Sequence, residues 1–261
     1  MLIGMGGARD YAHPVLLWVW FVIAGLAAVA GTALLAVDHR RRTAHQRERR
    51  RWAALRGWRF VLSDPVLADR WRHGVIARGG AGMARDLVFG SLFTPLGRRW
   101  VRVFDHEQGG QVSSVVVAVQ RRLHAGDLVV ELWQPDQPLP HDPGLVMVSS
   151  VGERLAFVSD PARARALITP ELVFACNAVG EDVPVAWLEQ SWVLAAAPAT
   201  ATPTRLERLL RALDEIAELL DADDTDSGAR PDIDDIDGSS DPAKFADTPT
   251  ARGNGQAGTR G

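Results

Sequence analysis

Three titratable side chains stand in a row at Asp105-His106-Glu107, just ahead of Gly109-Gly110. Two carboxylates around an imidazole are the raw material of general acid–base hydrolysis or of metal ligation. At the end of a strand, successive side chains alternate between faces, so Asp105 and Glu107 share one side while His106 points to the other. A hydrolase-like enzyme would draw its two carboxylates from that pair. The plainer reading is a solvated hairpin end, and the rest of the sequence favours it. The nearest pair among the other histidines, His39 and His45, lies in an Arg-rich stretch. The single cysteine, Cys176, excludes an intramolecular disulfide or a Cys-pair zinc site and reads as a buried small hydrophobe.

Other chemical motifs are missing. Gly79-Gly80-Ala81-Gly82 lacks the spacing and the lysine of a phosphate loop and reads as a hinge. Neither a His-Glu-x-x-His helix nor a Gly-x-Ser-x-Gly elbow occurs. Asp223, Thr225, Ser227, Gly228 and Asp234 loosely follow calcium-loop spacing, but two of the ligands are hydroxyls and Pro231 interrupts the loop. The sequence therefore nominates no catalytic residue, no cofactor and no metal ligand.

Position is better specified than chemistry, because the charge is segregated. Residues 1–51 carry a net +5, residues 52–220 a net −2 and residues 221–261 a net −6. From Val15 to Val37 there is no charged residue. As a helix of ~1.5 Å per residue this run is about 34 Å long, enough to cross a bilayer core. Tyr11, Trp18 and Trp20 gather at its N-terminal end, where amphipathic rings favour the membrane interface. The run is too long for a signal peptide, and the dense positive charge follows it rather than precedes it. Residues 39–51 hold seven Arg and one Glu. By the positive-inside bias, residues 1–14 form a short extracytoplasmic N-terminus, 15–37 a transmembrane helix and 38–56 an Arg-rich juxtamembrane helix, with the main domain cytoplasmic. Secretion into the envelope is the competing topology.

Arg40, Arg41, Arg42, Arg47, Arg49, Arg50 and Arg51 first of all fix that topology. They are also the residues placed to meet anionic lipid head groups. No base-stacking aromatics accompany them and the domain behind is slightly acidic, so nucleic acid is not expected as a partner. Within the span, Ala24/Ala28 and Ala27/Gly31 are small pairs four apart, a spacing that permits a homodimer through the membrane helix.

The elements behind the helix exit read as α+β. The helix stops at Gly57, a left-handed cap. Residues 58–62 alternate as a strand, and Asp64-Pro65 starts a short helix over 66–71. Strands follow over 86–93, 98–104, 111–120, 127–133 and 155–158, joined by short Gly- and Pro-bearing turns that suit antiparallel pairing. Two helices over 162–167 and 171–178 precede a hairpin of 183–188 with 191–196. The last element is the clearest: Leu206, Leu209, Leu210, Leu213, Ile216, Ala217 and Leu220 form one apolar stripe of an amphipathic helix. The expected architecture is a mainly antiparallel β domain over 57–220, closed by that helix on one face. Residues 221–261, rich in Asp, Gly and Ser, are expected to be a disordered acidic tail.

The run Ala54-Leu55-Arg56-Gly57-Trp58-Arg59-Phe60-Val61, with Asp64-Pro65, Arg70-Trp71, Val103-Phe104-Asp105-His106 and Val115-Val116-Val117-Ala118-Val119, resembles a family of uncharacterised actinobacterial single-pass membrane-anchored proteins. The resemblance spans about residues 15–220 and departs at His106-Glu107-Gln108, where members tend to have aromatic residues. It implies architecture and topology and no assigned activity. The sequence thus leads to a cytoplasm-facing interaction or regulatory module, touching the lipid bilayer and an unidentified protein partner. The alternatives are a membrane-tethered hydrolase-like enzyme built on Asp105 and Glu107, or a secreted envelope protein.

Overall fold

A single uninterrupted helix, α1 (His13–Leu55), carries both the apolar run and the Arg-rich stretch. The computed structural model describes residues 13–79, 82–95, 97–139 and 142–226. Most of the expected N-terminal segment and the tail beyond Asp226 lie outside the described residues. At ~1.5 Å per residue, α1 is about 64 Å long. It ends as the sequence predicts: Gly57 has φ +68°, Gly57 N–H donates to Ala54 O and Trp58 N–H donates to Ala53 O. This double bond pattern closes the last orphan carbonyls of a helix.

Nine strands form one sheet. They are β1 (Arg59–Asp64), β2 (Met83–Thr94), β3 (Gly97–Gln108), β4 (Gln111–Gln120), β5 (Val130–Trp133), β6 (Val146–Val151), β7 (Arg154–Val158), β8 (Val185–Glu189) and β9 (Trp192–Pro198). Their order is β1-β2-β3-β4-β9-β8-β5-β7-β6, and every pairing is antiparallel. The α+β expectation holds. Two elements escaped the sequence reading. β6 is an edge strand whose Val146 and Met147 are exposed, so it lacks the alternation that marks a half-buried strand. The five-residue helix α2 (Val75–Gly79) lies just ahead of the Gly79–Gly82 hinge, in a stretch to which the sequence assigned no element.

Both faces of the sheet are covered. On one, α4 (Pro170–Ala178), α5 (Pro203–Asp226) and the end of α1 pack over Val101, Val103, Val115, Val117 and Ala195. The other face buries Phe104, Trp133, Trp187 and Trp192 beneath the β1–β2 connection, whose own Trp71 packs among them. α3 (Pro161–Leu167) is capped by Asp160, whose carboxylate accepts from Ala162 N–H and Arg163 N–H. Thr169 caps α4 in the same way, and each helix begins with the proline that suits its first position.

α5 buries every residue of the predicted stripe and continues past its predicted end. Residues 221–226 belong to the helix, which corrects the tail boundary. Asp221 is buried: its Oδ2 lies 2.8 Å from Arg99 Nη1, and its Oδ1 lies 3.4 Å from Arg121 Nε. Arg122 N–H donates to it as well. Two turns earlier, Asp214 Oδ1 is 2.9 Å from Arg99 Nε. A carboxylate that read as the first residue of a polar tail is instead the clamp fixing α5 to the ends of β3 and β4.

Leu213 has no solvent exposure and lies midway along the stripe. Leu213→Asp places an unpaired carboxylate there at a cost of several kcal/mol, comparable with the whole stability of a domain. That variant is expected to unfold or aggregate, whereas Glu215→Ala on the exposed side of the same turn melts as the parent does; a thermal melt distinguishes them.

Candidate functional site: the junction of the long helix and the sheet

The last fourteen residues of α1 meet the sheet through one helix face, built at spacings of three and four. Arg42 Nη1 donates to Gly110 O at 3.3 Å. Gln46 Nε2 donates to Asp86 Oδ1 at 2.9 Å, and Arg49 Nη1 lies 2.9 Å from Asp105 Oδ1. Ala53 is fully buried. Trp52 Nε1 donates to Glu207 Oε1 of α5 at 2.9 Å, and Arg56 Nη2 lies 2.8 Å from the same oxygen. Arg56 also lies over the Trp58 ring at 5.0 Å, and Trp52 meets that ring edge-on.

The strands are shaped for this contact. β2 bulges between Arg85 and Val88, with Asp86 held at φ +47°, a left-handed conformation that few residues other than glycine adopt. A bulge re-aims a side chain; this one turns Asp86 toward Gln46. A second irregularity, between His106 and Glu107 in the β3–β4 pairing, lies at the same end of the sheet.

The Asp105-His106-Glu107 run is therefore split between separate tasks. Asp105 faces Arg49, and Glu107 Oε2 is 2.5 Å from Arg85 Nε. His106 is fully buried on the opposite side. Its Nδ1 lies 3.4 Å from Ser113 Oγ, and a Cβ added at Gly82 would meet its Nε2 at 2.4 Å. Burial pushes the Asp105 carboxyl above its usual range, a stronger influence than the opposing pull of Arg49. Desolvation pushes the His106 imidazole down, toward the neutral form. Both carboxylates on which a hydrolase would rely are engaged by guanidinium groups, so the arrangement acts as a clamp.

Arg49 departs from its expected role at lipid head groups, being 7 % exposed and turned into the sheet. Arg40, Arg42, Arg47, Arg50 and Arg51 are exposed, although Arg42 also contacts Gly110; the Arg41 side chain is outside the description. Residues 18–37 are all exposed, Ala24, Ala27, Ala28 and Gly31 included. Among the described residues, this helix alone is long and apolar enough to cross a membrane. Cys176 is buried with its thiol pushed up to about 12. No group of three or more His, Cys, Asp or Glu suited to a metal ion occurs among the described residues.

A second polar centre went unnoticed in the sequence. The β1–β2 connection crosses the sheet's other face and is held there by two buried carboxylates. Glu131 accepts from Gly74 N–H at 2.7 Å and from Trp133 Nε1 at 2.6 Å. Glu189 accepts from Arg72 N–H at 2.8 Å and from His73 N–H at 3.2 Å. Gly74 is required at φ +63°, where a Cβ would strike the Trp187 ring. The Glu131 carboxylate, 3.6 Å from His73 Nδ1, raises the His73 pKa, outweighing burial. The sole sequence signal was a Glu within one apolar strand, at 131, and another at the end of a second, at 189. Separately, Gln134, Arg154, Asn177 and Asp182 line an open polar cleft of about 500 Å³.

Fold and junction together define an α+β body welded to a long apolar helix. Residues 16–256 match the family described as trehalose monomycolate transport factor TtfA, and the chain belongs to that family. Trehalose monomycolate transport factor A of Mycolicibacterium smegmatis (strain ATCC 700084 / mc(2)155) is 26% identical over 202 residues, covering 77% of this chain and 69% of that protein. The crystal structure of the mycobacterial trehalose monomycolate transport factor A superposes with a TM-score of 0.60 at 24% identity, over 67% of this chain and 93% of the solved one; at that identity the likeness concerns the fold. The resemblance noted from sequence was to an actinobacterial family without an activity. That expectation is corrected: the family carries a named transport role.

The junction makes a double-mutant prediction. Because burial outweighs the pull of Arg49 on Asp105, the pair contributes little net stability, yet either charge alone would be stranded. Arg49→Met or Asp105→Leu singly should cost about 3 kcal/mol, and the double variant should recover most of that loss. Denaturant melts of the four proteins measure the coupling; additive losses would contradict the clamp.

Proposed function

We propose that the chain is a single-pass membrane protein with its N-terminus outside and its body in the cytoplasm, serving as a non-catalytic accessory in trehalose monomycolate transport. The observation that carries this reading is the continuity of α1 from an exposed apolar run into a buried clamp on the sheet. A helix built in this way holds the body at a fixed distance and orientation from the bilayer, which suits a part that must meet membrane transport machinery in one pose. Family membership supplies the transport context. The commitment of Asp105 and Glu107 to Arg partners favours binding over hydrolysis. In this topology the exposed Arg40, Arg42, Arg47, Arg50 and Arg51 face the anionic inner leaflet, where each cation near the surface gains about 1 kcal/mol.

The test is made in the host of the curated relative, with this chain in its place. Trehalose monomycolate export is followed in cells that also carry Cys176→Ala with either Ala8→Cys or Ser63→Cys. An impermeant thiol reagent is expected to label position 8 in intact cells and position 63 only after the membrane is opened, while export is sustained. Labelling of position 63 in intact cells moves the body to the envelope. Correct topology with lost export refutes the transport role.

A further inference from the structure

Residues 87–104, most of β2 and β3, hold three Arg and no carboxylate, although residues 52–220 as a whole are net acidic. Arg98, Trp100 and Arg102 share the face of β3 that carries Phe104, while Arg99 turns the other way to α5. The register places Phe93 opposite Arg98, Ser91 opposite Trp100 and Phe89 opposite Arg102. The result is a strip of alternating rings and cations. The Arg98 guanidinium is 5.0 Å from the Phe93 ring and 5.5 Å from Trp100; that of Arg102 is 5.8 Å from Phe89 and 4.8 Å from Trp192. Phe93 is 81 % exposed and Trp100 51 %. Arg59 stands opposite Phe89 on β1. Among the described residues, no carboxylate forms an ion pair with Arg98 or Arg102. The exposed Phe93, Arg98 and Trp100, with the half-buried Arg102 beside them, form a surface for a ligand that is both acidic and apolar.

Such a ligand is encoded in the same chain. Residues 232–237 read Asp-Ile-Asp-Asp-Ile-Asp, within a segment of net charge −6. Through Asp214 and Asp221, α5 is held to Arg99, whose neighbours in sequence are Arg98 and Trp100, and it ends at Asp226. Six residues beyond Asp226 span at most about 20 Å, which matches the two layer spacings of ~10 Å between α5 and a ligand on the opposite face of the sheet. The path has only to round the turn between Thr94 and Gly97. This end of the β2–β3 hairpin is opposite the end where Arg42 meets the Gly110 turn, and so faces away from the apolar run of α1. That position disfavours lipid as the occupant, and tethering gives the chain's own segment an effective concentration in the millimolar range.

We propose that residues 232–237 dock on the Phe93–Arg98–Trp100–Arg102 strip of their own chain, with carboxylates on the guanidinium groups and Ile233 and Ile236 against the rings. The body then carries an internal occupant that an acidic partner segment must displace, which makes this strip a regulated docking surface. The test uses the full chain in neutral phosphatidylcholine nanodiscs, with photoreactive benzoylphenylalanine in place of Phe93. Illumination is expected to give a product of single-chain size whose cross-link falls in the tryptic peptide 212–244 and, on fragmentation of that peptide, within residues 231–244. Its yield should fall at least about fivefold in 0.5 M salt, where charge pairs at an exposed surface are screened. A similar fall is expected with Arg98→Glu, an exposed change that leaves the melting temperature unaltered, and with Asp232, Asp234, Asp235 and Asp237 all changed to Asn. A cross-link that falls outside residues 231–244 overturns the proposal, as does a yield indifferent to these charge changes. A product of two-chain size would assign the strip to a second copy instead.

Discussion

The burial of Arg49 against Asp105 constrains everything around it. A guanidinium 7 % exposed at the end of a cationic run has to be met by a carboxylate in one place, so the rotation of α1 about its axis is fixed. Once that phase is set, Arg42, Gln46, Ala53 and Arg56 fall on the same side and find their partners, while Arg47, Arg50 and Arg51 are left outside. The sheet adapts in turn: the bulge at Asp86 and the register change at His106 lie where the helix lands. The pair's value lies in this specification of pose, since desolvation consumes much of its Coulombic gain.

The two sheet faces are held by different physics. On the α5 side a continuous apolar stripe supplies the burial, with Arg99, Arg121, Asp214 and Asp221 fixing the helix end. On the other side, a connection containing few regular elements packs its own Trp71 with three buried tryptophans of the sheet, and its backbone N–H groups need acceptors away from water. Glu131 and Glu189 provide them. Each carboxylate thereby replaces a strand that the connection does not form.

Much of this was legible in the sequence, for reasons specific to each element. The Gly57 cap, the Asp160-Pro161 and Thr169-Pro170 helix starts and the α5 stripe are local signals, decided within a few residues. β6 was hidden because an exposed edge strand shows no alternation. Arg49 was indistinguishable from Arg50 within a run of arginines; only its phase relative to Ala53, fixed by tertiary contact, separates the two. Asp221 looked like tail because its partners Arg99 and Arg121 lie a hundred residues or more earlier. Glu131 and Glu189 were obscured for the same reason: what they hold is non-local. The clearest chemical motif, Asp105-His106-Glu107, has a place in the junction: its two carboxylates face guanidinium groups and His106 is buried on the other side.

Pose is transmitted only if α1 is one rigid strut from its apolar run into the sheet. Pulsed electron paramagnetic resonance on the full chain in nanodiscs addresses this directly, with Cys176→Ala and nitroxides at Val37→Cys and Gln111→Cys, positions exposed on the helix and at the start of β4. A single narrow distance distribution is expected, broadening when Asp105→Asn removes the charge that holds Arg49. A broad or bimodal distribution in the protein with Asp105 intact would mean that helix and body move independently, and would contradict the account.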